Sequence, residues 1–103
     1  MNLEQIEARL VEACEWAVAN GWKLKGNGEF GDAESRTCCA LGAFNAQVDG
    51  QPENLKRIYD VLGLDDDQYE SIGDGFDGTL SRLRTDPDLY AMGTRLRARF
   101  LLK

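Results

Sequence analysis

The stretch Cys38-Cys39-Ala40-Leu41-Gly42-Ala43-Phe44, continued to Val48 and stopped at Asp49-Gly50, decides how the rest of the chain must be arranged. It is an apolar run at helical spacing, and its small residues Ala40, Gly42, Ala43 and Ala46 let a neighbouring backbone approach closely. The run therefore predicts a central, most buried helix, around which the other elements pack.

Working outward toward the N-terminus, Leu3, Ile6, Leu10, Cys14, Ala17 and Val18 recur at three- and four-residue steps. That spacing predicts an amphipathic helix over residues 3 to 20, with Glu4, Glu7, Glu12 and Glu15 on its other faces and an end at Asn20-Gly21. Between the two helices, residues 22 to 30 alternate apolar and basic side chains and then turn at Gly26-Asn27-Gly28. This pattern allows a short β-hairpin near residues 22–30.

Toward the C-terminus, Gln51-Pro52 reads as the start of a helix carrying Leu55, Ile58, Tyr59 and Leu62 on one face and ending at Gly63. Asp65 is a good N-cap for the next helix, whose stripe is Tyr69, Ile72 and Phe76. Asp66 and Asp67 sit at its positive end, and Gly73, Gly75 and Gly78 weaken it and end it by Asp77-Gly78. Leu80 and Leu83 suit a short helical turn. Asp86-Pro87 then opens a last helix with Leu89, Met92, Leu96 and Phe100 on its inner face. The fold class that follows is mainly α, a compact bundle of about five helices forming one domain over residues 1–103.

Composition narrows function by exclusion. Apolar residues make up 43% and charged residues 29% of the chain, the balance of a globular protein. No apolar stretch approaches the ~20 residues of a membrane-spanning helix, and the opening residues lack the basic and apolar regions of a signal peptide. With Cys14, Cys38 and Cys39 unable to pair completely, the expected setting is the reducing cytoplasm. There is no histidine, which excludes triads and histidine-bearing metal sites, and three cysteines are too few for a structural zinc site. No metal and no cofactor are expected. Cys38 and Cys39 read as packing residues, with a reactive thiol as the alternative.

The net charge of −6 disfavours direct binding to nucleic acid or to anionic membrane. It is unevenly spread: residues 1 to 78 carry six basic against sixteen acidic side chains, whereas residues 79 to 103 carry six against two. The basic tail helix is thus expected to lie near acidic segments of its own chain. The densest charge lies between Asp65 and Asp77, and Asp66, Glu70 and Asp74 recur at four-residue steps on one helical face. A calcium loop is excluded there, because Glu70 falls where the loop requires glycine. The cluster reads as helix capping by Asp65 to Asp67 plus pairing with Arg82, Arg84, Arg95 or Arg99, with a partner-binding acidic face as the alternative. Trp16, Trp22, Tyr69 and Tyr90 are aromatic candidates for an interaction patch.

Cys39-Ala40-Leu41-Gly42-Ala43, followed by Val61-Leu62-Gly63-Leu64 and by Ile72-Gly73-Asp74-Gly75-Phe76-Asp77-Gly78, resembles small uncharacterised bacterial and phage proteins with a Cys-x-Leu-Gly-Ala core helix. The likeness covers roughly residues 10 to 80 and implies a helical fold and a cytoplasmic setting. Those proteins have no assigned activity.

Taken together, these features point to a small acidic non-enzymatic interaction module, of a kind carried by phages or mobile elements as an inhibitor or regulator. Asp66, Glu70, Asp74 and Asp77 would meet a basic surface of a protein partner. Two alternatives stand beside it. One is a homodimeric structural protein in which the acidic segment of one chain meets a secondary basic patch, Arg95 and Arg99, of the other. The second is an enzyme using Cys38 or Cys39.

Overall fold

The computed structural model describes residues 1–79 and 86–102. The short turn expected at Leu80 and Leu83, and pairing by Arg82 or Arg84, fall outside them. Helix α1 (Leu3–Ala19) is followed by β1 (Lys23–Leu24), β2 (Gly31–Asp32), β3 (Thr37–Cys38), α2 (Ala40–Asp49), a π-helical turn (Ile58–Leu62), α3 (Asp66–Asp77) and α4 (Pro87–Phe100). The architecture is mainly helical with one small sheet.

Helix α1 starts where its sequence supplies a reciprocal cap. The Asn2 side chain accepts from the Gln5 amide at 2.8 Å, and the Gln5 side chain accepts from the Asn2 amide at 2.9 Å. Ile6, Leu10, Ala13, Cys14 and Ala17 form its buried stripe, while Leu3 and Val18 at its ends are exposed. Helix α2 is buried from Ala40 through Ala46, as its composition requires, and Gly50 ends it in the left-handed conformation at φ 80°. The close approach expected there is real: a Cβ on Gly42 would stand 1.8 Å from the Phe30 carbonyl oxygen, so only glycine fits.

The β element differs from a hairpin over residues 22–30. Strand β3 lies in the middle, pairing parallel with β1 (Lys23 with Thr37, Leu24 with Cys38) and antiparallel with β2 (Gly31 with Cys38, Asp32 with Thr37). Residues 26 to 30 therefore form a loop between two strands that do not pair with each other. The physical reason is that β3 leads directly into buried α2, so the central helix draws the edge segments to itself.

A second difference lies after Pro52. Buried Asn45 donates from Nδ2 to the Pro52 carbonyl at 2.9 Å, and Asp49 gathers the Asn54 side chain at 2.6 Å and Arg57 at 3.4 Å. These contacts hold residues 51 to 55 in turns, so the helix that ends at Gly63 is short, with residues 56 and 57 α-helical and Ile58–Leu62 π-helical. Within it Ile58 and Leu62 are buried, but Tyr59, expected on the inner face, is 41% exposed. The extra residue in each π turn shifts the face that a 3.6-residue period assigns.

Helices α3 and α4 begin at caps visible in the sequence. Asp65 and Gln68 form a capping box, and Asp86 accepts from the Asp88 and Leu89 amides with Pro87 in the first turn. The two helices meet at a seam of glycines. A Cβ on Gly75 would lie 2.2 Å from the Tyr90 carbonyl oxygen, and one on Gly93 would lie 2.1 Å from that of Ile72. Gly75 is thus a packing residue rather than merely a weak point of α3. Ile72, Phe76, Leu89, Met92 and Leu96 fill the core around this seam.

Candidate acidic groove

The outer side of α3 lines a groove of about 350 Å³, closed on the opposite side by residues 28 to 30 of the β1–β2 loop and floored by Cys39 and Leu41 of α2. Glu70, Asp74 and Asp77 stand along it at four- and three-residue steps, the spacing that stacks side chains on one helical face. Phe30 and Tyr69 line the same groove with their rings 5.6 Å apart, so it combines carboxylates with apolar and aromatic walls. That mixture suits a ligand with a cationic head and an aliphatic stem.

Three of the four acidic residues singled out in the sequence are brought together here. Asp66 stands apart: its carboxylate accepts the Tyr59 hydroxyl at the start of α3. This bond, with burial and the neighbouring Tyr69, raises the pKa of the Tyr59 phenol. Tyr59 in turn packs against Tyr69 with centroids 6.1 Å apart, which extends the aromatic wall to an exposed ring.

Asp77 is the most perturbed of the groove carboxylates. Although partly exposed as a residue, it holds Oδ1 away from solvent and without a hydrogen-bond partner among the described residues. Burial raises its pKa above the ordinary carboxylate value. The Gly28 amide opposes that rise, Asp74 adds to it and Arg97 opposes it. Ionisable groups desolvated in a cleft are candidates for a functional role, although structural charge networks perturb such groups too.

Cys39 was legible as a core residue but not as part of a site. It caps α2, its Sγ accepting from the Gly42 amide at 3.4 Å, and borders the groove beneath Asp77. Burial pushes its thiol up to about 11, with the Gly42 and Leu41 amides pulling it down and Asp77 adding to the rise. Cys38 is pushed up to about 12 by burial and then by Cys39, and burial raises Cys14 further still. Thiols so held are protonated near neutrality, and the thiolate is the nucleophile. Among the described residues no group of three or more histidine, cysteine, aspartate or glutamate side chains could hold a metal ion.

The basic patch lies elsewhere and is engaged. Arg95 grips Glu7 of α1 through two hydrogen bonds, at 3.0 and 2.6 Å, and holds that carboxyl below its usual pKa. Arg99 pairs with Glu15 at 3.3 Å. Arg97 donates to the Phe76 carbonyl at 3.1 Å, tying α4 to the last turn of α3. Arg95 and Arg99 are thus matched within their own chain by two carboxylates of α1. Beside these pairs runs a second and more open depression of about 410 Å³, lined by Glu4, Glu7, Val11, Glu12, Glu15 and Arg99 among others.

The aromatic patch expected from Trp16, Trp22, Tyr69 and Tyr90 does not assemble as one surface. Trp16 and Trp22 pack on each other at 6.3 Å, Tyr69 is buried, and Tyr90 donates to the Thr79 carbonyl at 2.7 Å. No helix among the described residues is long and apolar enough to cross a membrane. No family model, curated protein or solved structure matches the chain.

Proposed function

We propose that this protein is a small, non-enzymatic interaction module that receives a basic segment of a protein partner in the groove beside α3. The observation that carries the reading is the alignment of Glu70, Asp74 and Asp77 along a cavity that also has apolar and aromatic walls. A flat acidic surface attracts cations without placing them; a concave one with an apolar lining also receives the stem of a lysine or arginine side chain. Protonated, buried thiols and a chain without histidine support the non-enzymatic part of the reading. An acidic module of this kind would work in the cytoplasm as an inhibitor or regulator, meeting the basic face of its target by charge complementarity.

The dimer alternative draws no support from the positions of Arg95 and Arg99, because a dimer built on them would have to break both of their pairs with α1. The test of the main reading is fluorescence anisotropy with a labelled arginine-rich peptide. Binding should weaken as salt rises and be lost on charge reversal by Glu70→Lys with Asp74→Lys in a protein that still melts cooperatively. Affinity unchanged by that reversal would refute it.

A further inference from the structure

The loop that closes the groove is fastened at both ends. The Lys25 amide donates to the Cys38 carbonyl at 2.9 Å, and the Cys39 amide donates to the Phe30 carbonyl at 3.0 Å. Between these pins, residues 26 to 29 lie over the last turn of α3, so tightly that a Cβ on Gly26 would stand 2.6 Å from the Phe76 carbonyl oxygen. At the middle of the span Gly28 faces the Asp77 carboxylate, whose Oδ2 would stand 3.9 Å from a Cβ built there. Beside it, Asp77 Oδ1 is buried with no hydrogen-bond partner among the described residues.

We propose that residues 26 to 29 are a flap and that the Asp77 carboxyl is its proton-controlled latch, holding the flap down when protonated and favouring its lifting when ionised. A carboxylate oxygen with no donor and no solvent is costly, and the cost falls in two ways: the group takes up a proton, or the cover lifts and water reaches it. The charged and titratable neighbours are Asp74 on α3, Arg97 from α4 and Cys39 from the start of α2, with Glu29 on the flap and Glu70 on the same groove. Arg97 and the Gly28 amide favour the ion, Asp74 opposes it, and burial outweighs them in the direction of the acid.

The sign follows from linkage. A carboxyl whose pKa is raised in the closed state binds its proton more tightly there than in the open state. Closure is therefore strongest below the ordinary carboxylate value and weakens as pH rises to the raised value. That the lifted flap widens access to the groove rests on the binding reading above; the latch itself does not.

The experiment uses the protein alone, so that its outcome is separate from that of any ligand. Carboxyl ¹³C NMR follows the titration of Asp77, while amide hydrogen exchange at Gly28 and Glu29, corrected for the intrinsic rate at each pH, follows the flap. Asp77 should titrate above the ordinary aspartate value. Protection at the two flap amides should fall across the same interval while that of the α1 stripe stays constant, and Asp77→Asn should remove the dependence. An ordinary titration of Asp77, or flap protection that is flat through it, would overturn the proposal even if the Asp77→Asn protein does not fold.

Discussion

The two sides of α3 are built on opposite principles. Toward α4, Ile72, Gly75 and Phe76 make a dry seam in which backbone meets backbone and no space is left. Toward the β1–β2 loop, Glu70, Gly73, Asp74 and Asp77 border an open groove, where among the described residues a Cβ on Gly73 would meet nothing nearer than Leu41 Cδ1 at 3.9 Å. Glycine is therefore a packing requirement on one side of the helix and a dispensable weakness on the other. The seam holds the helix in place, and the groove side carries charges whose like-signed repulsion works against folding. Such a division is expected where one face is kept for stability and the other for recognition.

The contrast can be broken most forcefully at the seam. Phe76→Ala removes a fully buried ring and should cost about 3–5 kcal/mol in urea unfolding. Gly93→Ala is the sharper probe, because helix propensity alone argues for a gain of about 1 kcal/mol. The clash with the Ile72 carbonyl reverses that sign, giving a net loss of about 1–3 kcal/mol. On the groove side the same change, Gly73→Ala, should behave as propensity says and stabilise by up to about 1 kcal/mol. A loss at Gly73 or a gain at Gly93 would erase the distinction between the two faces.

The smallest effect is expected on the surface. Glu7→Gln, which breaks the pair with Arg95, should cost no more than about 1 kcal/mol, and less as salt rises. Its pH dependence runs opposite to that of Asp77. The Glu7 pKa is lowered on folding, so its contribution is present above the ordinary carboxylate value and is lost as pH falls through the lowered one.

Most of the helical frame was legible because its signals are local. Asp65, Asp86-Pro87 and Gly50 mark helix boundaries within a few residues of themselves, and the stripes of α1, α3 and α4 repeat over several turns. A short β element after α1 was legible from the alternation that begins at residue 22, but its partners were not, since the two-residue strands β2 and β3 carry no periodicity and Lys23 pairs with Thr37, fourteen positions on. Tyr59 was placed on the wrong face because a π turn has a different period from the α-helix that the pattern assumes.

The site divides along the same line. The spacing of Glu70, Asp74 and Asp77 was readable, because four- and three-residue steps on a helix imply one face. Nothing local revealed that residues 28 to 30 return to cover that face, or that Cys39 lies beneath it. Nor could spacing match Arg95 with Glu7, which lie 88 positions apart and meet only because α1 and α4 share a core.

On the proposed function, a cationic segment enters the groove beside α3 rather than the open acidic depression along α1. That placement is tested most directly by titrating ¹⁵N-labelled protein with an arginine-rich peptide and mapping the amide shifts. Perturbations should be concentrated at Gly28, Phe30, Glu70, Asp74 and Asp77, saturating together and collapsing as salt rises. Shifts confined to Glu4, Glu7, Val11 and Glu15, or none at all, would contradict it.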